Sequence, residues 1–398
     1  MEGKTLNSRQ SISTAFRDTI NTNMRQYTMI AALLIIWIVF AILTNGLFMS
    51  PRNLSNLFLQ MCTIGILTSG MLMVMVAGHI DLSVGSVCGT FGAAAAYMMV
   101  KAGMSPLIAI PLTIGLGAVV GMWHGYWVAL RGVPAFIVTL SSMIAFKGFT
   151  LFITNGATIG EFPVFFKSIG QGYIPDVGGE GSPFHMTTII IFAVALAAFI
   201  IMNIRKRNKR IANGFKILPM PLEIVKVGLI SAGIIAVGYI LASYMGIPYA
   251  IIVLAVTVGI FTILTTRTPF GRHIYAVGGN AEAARLTGVN VQKTLFIIFL
   301  LEGILSAIAA MVFAARLNAA TTSAGSLFEL DTIAACIIGG TSTTGGIGTV
   351  FGGIIGALVM ASIDNGMSLM NIPIMYQYMV KGAILLFAVW VDISNKKK

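Results

Sequence analysis

Eleven long apolar runs, parted by short polar stretches, constrain this chain more than any other feature. They lie at 27–44, 56–77, 86–100, 105–130, 135–154, 186–204, 227–245, 248–265, 294–315, 332–363 and 375–391. A helix needs about 20 such residues to cross a hydrocarbon layer about 30 Å thick. In lipid every backbone N–H and C=O must be satisfied within the protein, which leaves helices or closed barrels. The runs are continuous rather than alternating, and this argues against a barrel. Charge is scarce in the same sense. Only 10% of residues are charged and mean hydropathy is +0.91, against about 25% charged in a soluble domain. The sequence predicts an all-α polytopic membrane protein of about ten transmembrane helices. Residues 1–26 form a polar leading segment, 27–392 one membrane domain and 393–398 a short tail. The first run has no cleavage pattern after it and reads as an anchor that stays.

A net charge of +12 raises the question of a nucleic-acid partner. The positions of the charges answer it. Lys4, Arg9, Arg17 and Arg25 precede the first run, and seven bases lie between Arg205 and Lys226. Arg267, Arg272, Arg285 and Lys293 follow the eighth run, and Lys396, Lys397 and Lys398 end the chain. These are 18 of the 25 lysines and arginines. Bases gathered in alternate loops follow the positive-inside rule and do not form a groove for phosphate. With the N-terminus inside, the block 204–210 and the loop 266–293 fall in the cytoplasm. Residues 155–185, with Glu161, Asp176 and Glu180 against Lys167, fall outside. Cys62, Cys88 and Cys336 sit in apolar stretches and read as buried small side chains. His79, His124, His185 and His273 are scattered without ligand spacing, so no metal site is expected.

Both termini inside require an even number of crossings, and eleven runs are one too many or too few. The run 332–363 is the place to resolve this. Its stretch GGTSTTGGIG (339–348) holds five glycines and four hydroxyls, and each glycine lowers helix preference by about 1 kcal/mol relative to alanine. A re-entrant segment and an extramembrane turn are both compatible with that composition. A helix break buried in the bundle is the expectation. Two glycine ladders also stand out, Gly117, Gly121, Gly125 and Gly348, Gly352, Gly356. Glycine every fourth residue lets a neighbouring backbone approach, so these read as helix-packing stripes.

Charges within the apolar runs mark candidate pathway or gating positions. Asp81 and Ser83 lie in GHIDLSVG (78–85), and Thr341 and Ser342 in the glycine and hydroxyl stretch. Glu302 stands about nine residues into its run and is the best candidate for a buried charge. Asp81, Lys147 and Lys381 are near run ends, where a charge can pair or reach the interface. No relay of several acids is present, as a proton-coupled carrier would need. There is no G-x-x-x-x-G-K-[ST], no HExxH and no GxSxG, so the sequence offers no ATP hydrolysis of that kind and no enzyme signature.

The polar insert 271–294 then becomes informative. NAEAARLTGV (280–289) combines helix formers with Asn280 as a starting cap and Gly288 as an ending cap. A short helix is expected, with Ala283 and Ala284 as a shallow surface for a partner's groove and Glu282 and Arg285 at its edge. A solvated connector is the bland alternative, but a connector does not need a compact, capped helix.

At this loop the sequence resembles the permease subunits of bacterial ATP-binding-cassette importers for monosaccharides. The matching stretches are GHIDLSVGS (78–86), VPAFIVTLSSMIAFKG (133–148), FGRHIYAVGGNAEAARLTGVNV (270–291), 329–370 and QYMVKGAILLFAVWVD (377–392). The tail 364–392 and the basic insert near 205–226 look most like the xylose and multiple-monosaccharide subgroup. The resemblance implies a cytoplasmic ATPase subunit, an extracytoplasmic sugar-binding protein and a second permease copy as partners, with no cofactor. It implies a multi-pass protein of the bacterial cytoplasmic membrane with both termini inside. It carries the family's coupling segment onto Asn280, Glu282, Ala283, Ala284, Arg285 and Gly288. The rivals are an ion-coupled secondary sugar carrier, a membrane enzyme and a passive channel.

Overall fold

A computed structural model of the chain describes residues 12–179, 182–215, 217 and 219–396. Lys4, Arg9, Glu180, Lys216, Lys397 and Lys398 lie outside the described residues. The helices are α1 (Ile12–Leu43), α2 (Pro51–Val76), α3 (Val84–Ala96), α4 (Pro106–Gly125), α5 (Ala135–Thr154), α6 (Val164–Gln171), α7 (Met186–Ala212) and α8 (Met220–Ala242). They continue with α9 (Tyr249–Arg267), α10 (Pro269–Gly279), α11 (Ala281–Leu286), α12 (Val291–Leu317), α13 (Phe328–Ile338), α14 (Val350–Leu369) and α15 (Ile374–Lys396). α3 and α4 run on into wider π turns, Tyr97–Lys101 and Tyr126–Leu130. The strands β1 (Ile159–Gly160) and β2 (Ala319–Ala320) pair antiparallel. Among the described residues nine helices are long and apolar enough to cross a membrane, and the apolar part of α1, Thr28–Leu43, is shorter. The architecture is all-α and polytopic.

The chain forms two compact units. One takes the described part of Met1–Thr28 and Ile174–Ile247; the other takes Met29–Tyr173 and Pro248–Lys398. In the first, α7 and α8 form a hairpin in which Gly238 lies against the Phe192 ring, and Arg207 pairs with Glu223. His185 caps α7 by accepting from the Thr188 N–H. Asp176 accepts from the Thr187 N–H at 3.0 Å, and that bond holds its carboxyl below the usual carboxylate range.

The second unit is built round α2, which is buried along almost its whole length. Ser50 caps its start and Pro51 occupies the first turn, where a missing N–H costs nothing. Lipid gives helices no hydrophobic reason to associate, so close packing and hydrogen bonds must do it. Asn53 donates to the Asn365 side chain at 2.8 Å, joining α2 to α14. The Trp37 indole donates to Ser362 at 2.9 Å, joining α1 to α14. The tightest crossing is between α4 and α12. Gly117 and Gly121 abut the backbone of Gly303 and its neighbours, and Gly125 abuts Phe296. On α14, Gly352 and Gly356 abut Gly339 and Ala335; Gly348 lies in the non-helical stretch before α14, against Thr341 and Val76, so the expected helical stripe holds only its last two glycines.

The run 332–363 is two antiparallel helices, α13 and α14, joined by non-helical backbone through the glycine and hydroxyl stretch. The backbone turns at Gly345 and Gly346, whose φ values of +87° and +75° favour glycine. Thr341, Ser342, Gly345 and Gly348 are buried there. Thr344, Ile347 and Thr349 of the same stretch are exposed, so the break is a half-buried turn whose inner side packs on the end of α2 and on α10.

Candidate functional site

The loop between α9 and α12 is held by side-chain caps. Thr268 accepts from the Gly271 N–H at 3.1 Å and starts α10. Asn280, in extended backbone, accepts from the Ala283 N–H at 2.9 Å and starts α11. Gly288 takes φ +87° after it, and Asn290 accepts from the Lys293 N–H at 2.8 Å to start α12. Glu282 and Arg285 form a two-bond ion pair on the exposed face, at 2.6 and 3.2 Å. The hydrogen bond from Arg285, then its charge, holds the Glu282 carboxyl below its ordinary value.

One expectation for this loop needs correcting. Ala283 is exposed, but Ala284 is only 4% exposed and belongs to the core of its own unit. A six-residue helix has one inward position per turn, and Ala284 takes it. The residue that reaches outward is Leu286, 78% exposed. A large apolar side chain standing free on a polar, capped loop is the feature that sequence inspection missed.

The loop is joined to the bundle through α10. Gly278 lies so close to the Val76 carbonyl and the Gly346 N–H that a Cβ would overlap them. Gly346 donates to the Val76 carbonyl at 2.8 Å. The Tyr275 hydroxyl donates to the Gly348 carbonyl at 2.7 Å, and burial pushes its pKa up. Thr343 donates to Asp392 of α15 at 2.9 Å. Movement of α10 therefore bears directly on the end of α2 and on the hinge between α13 and α14.

The other predicted residues fall into separate places. Asp81 is 1% exposed and accepts from the Ser83 N–H and hydroxyl at 2.7 and 2.6 Å. Its second oxygen is 3.8 Å from His124, whose other nitrogen meets the Ser142 hydroxyl at 2.9 Å. This chain ties the α2–α3 loop to α4 and α5. Glu302 is 1% exposed and neither carboxylate oxygen has a hydrogen-bond partner. It occupies the space left by Gly70, where a Cβ would overlap the carboxylate. Ser342 bonds within the hinge, to Thr344 at 3.0 Å, and the buried Thr341 hydroxyl has no partner. Lys147 is exposed, whereas Lys381 bridges Asp331 at 2.8 Å and Asp364 at 2.9 Å, linking α15 to α13 and α14.

Fold and loop together define a polytopic membrane protein whose packed core is mechanically tied to one capped polar loop. The chain belongs to the family described as Branched-chain amino acid transport system / permease component, which matches residues 53–389. It is 43% identical over 378 residues to the xylose transport system permease protein XylH of Haemophilus influenzae, covering 95% of this chain and 98% of that one. It is 42% identical over 388 residues to XylH of Escherichia coli K12, covering 97% and 96%. It is 32% identical over 361 residues to the ribose import permease protein RbsC of Bacillus subtilis, covering 90% of each. No solved structure matches.

Proposed function

We propose that this chain is the membrane-spanning permease of an ATP-driven monosaccharide importer of the xylose type, in a bacterial cytoplasmic membrane. The observation that carries this reading is identity of 42–43% to xylose permeases over nearly the whole chain. The chain has no phosphate-binding loop of its own, so ATP is hydrolysed on a separate cytoplasmic subunit. That subunit grips α11. Leu286 enters its groove, Ala283 allows close approach, and the Glu282–Arg285 pair lines the edge. Asn280 and Gly288 set the helix ends. A stroke on α11 passes through α10 to the hinge at 339–349. Asp81, Ser83, Glu302, Thr341 and Ser342 act beside the moving helices, as pathway or gating groups. A sugar-binding protein delivers substrate on the opposite side, and two permease copies form the path. Bound sugar thus needs only a transient polar route.

Energy source tests the proposal. Cells expressing the importer should keep accumulating labelled xylose when a protonophore collapses the ion gradient and ATP is maintained. They should stop when the ATPase subunit is deleted. Accumulation that follows the gradient and survives the deletion would favour the secondary carrier.

Orientation gives a second expected result. The bases of 205–226 and 266–293 put both loops, and both termini, in the cytoplasm. Cysteines introduced as Asn208→Cys and Lys293→Cys should escape an impermeant thiol reagent in intact cells and react after permeabilisation. Efficient labelling from outside at either position contradicts the topology.

A further inference from the structure

A second polar site lies at the other end of the α2 unit from the capped loop. A partly open cavity of about 140 Å³ is lined by Gln60, Thr63, Arg316, Asp331, Asp364 and Lys381, with Phe313 and Phe328 as its apolar wall. A single water needs about 10–15 Å³ on this measure, so the space accepts a ligand of several heavy atoms. Its walls come from α2, α12, α13, α14 and α15, and of these α2, α13, α14 and α15 also contact or border the hinge.

The lining has more bonding capacity than the protein uses. The Thr63 hydroxyl, the Arg316 Nε, one oxygen of Asp331 and one of Asp364 are all buried and have no hydrogen-bond partner. Thr63 and Asp331 are each 2% exposed. A buried polar group without a partner is costly, and native proteins rarely keep several at one place unless something else completes them. The charges present are two carboxylates, one ammonium and one guanidinium, so they balance. Balanced charge does not suit a lone ion. Separate donors and acceptors suit a neutral molecule whose hydroxyls can do both. The Phe313 and Phe328 rings meet edge to face with centroids 5.0 Å apart, which gives the C–H face of such a molecule an apolar surface.

We propose that this cavity is a transit station for a monosaccharide, contacted through Thr63, Arg316, Asp331 and Asp364. Lys381 holds the two carboxylates in place. The inference rests on the importer reading, and it assigns the sugar a stopping point within a single permease chain. Because α13 and α14 both line the cavity and both end at the hinge, movement of α10 opens or tightens it.

Two measurements on the assembled importer test the station. Ser326 is exposed at the cavity, and the native cysteines are buried. In membranes carrying Ser326→Cys, millimolar xylose should slow modification by a small methanethiosulfonate reagent at least threefold, and mannitol at equal osmolarity should not. Thr63→Val removes a hydroxyl that bonds nothing in the protein. It should leave membrane level and thermal midpoint unchanged or higher while lowering maximal xylose uptake at least fivefold. A purely structural cluster predicts the reverse, full uptake with no protection by sugar, and that result overturns the station. Reduced uptake without protection overturns it too. Failure of the importer reading would look different, because the unsubstituted chain would then show no ATPase-dependent uptake at all.

Discussion

Leu286→Asp abolishes ATP-dependent xylose uptake while the permease remains folded in the membrane. Leu286 is 78% exposed on a helix of six residues, fixed at one end by the Asn280 cap and at the other by the turn at Gly288. It contributes little to its own fold, so replacing it spares the bundle. In the docked state it would be an apolar anchor in a groove, and such anchors are worth about 2 kcal/mol or more. Loss of that much weakens docking by about thirtyfold, and a buried carboxylate adds a desolvation cost. Co-purification of the ATPase should fall with uptake. Unchanged uptake and co-purification would show that α11 is a connector. Ala284→Trp cannot answer the question, because Ala284 is packed inward and a tryptophan there would disturb the fold itself.

Gly303→Leu prevents the permease from accumulating in folded form. Gly303 lies where α12 crosses α4, and a Cβ there would stand 2.7 Å from the Gly121 nitrogen and 2.8 Å from its Cα. Those are backbone atoms and no side-chain rotation relieves the overlap, so two helices must move apart. Overpacking costs about 1–3 kcal/mol even where side chains can yield, and the expected cost here is at the top of that range or above it. Gly115→Leu, on the same α4, meets nothing within 4 Å and serves as the control. Size-exclusion profiles in detergent should show aggregated or absent protein for the first and a normal peak for the second. Normal peaks for both would mean that α4 and α12 are not held at that crossing.

Much of the fold could be read from the sequence because lipid imposes a length rule. Runs near 20 apolar residues became helices, and the glycine and hydroxyl stretch became the hinge, for the backbone reasons that composition states. What could not be read was which face of each helix meets which neighbour. A helix such as α12 is apolar all round, so periodicity carries no facing signal. That is why Gly70 was not recognised as the space for Glu302, although the two are packed together. It is also why Lys381 looked like a helix-end charge when it joins Asp331 and Asp364 from two other helices. In the capped loop, Asn280 and Gly288 announced a helix, but six residues are too few to say which alanine turns inward. Leu286 sits beside Arg285 and Thr287 and carries no local mark of its exposure.

Reconstitution tests the central claim most directly. Proteoliposomes holding this chain, the ATPase subunit and the sugar-binding protein should take up labelled xylose only with ATP enclosed with the ATPase. Omitting the ATPase or replacing ATP with a non-hydrolysable analogue should reduce uptake to background, and an imposed proton or sodium gradient should not restore it. Gradient-driven uptake by this chain alone would contradict the account.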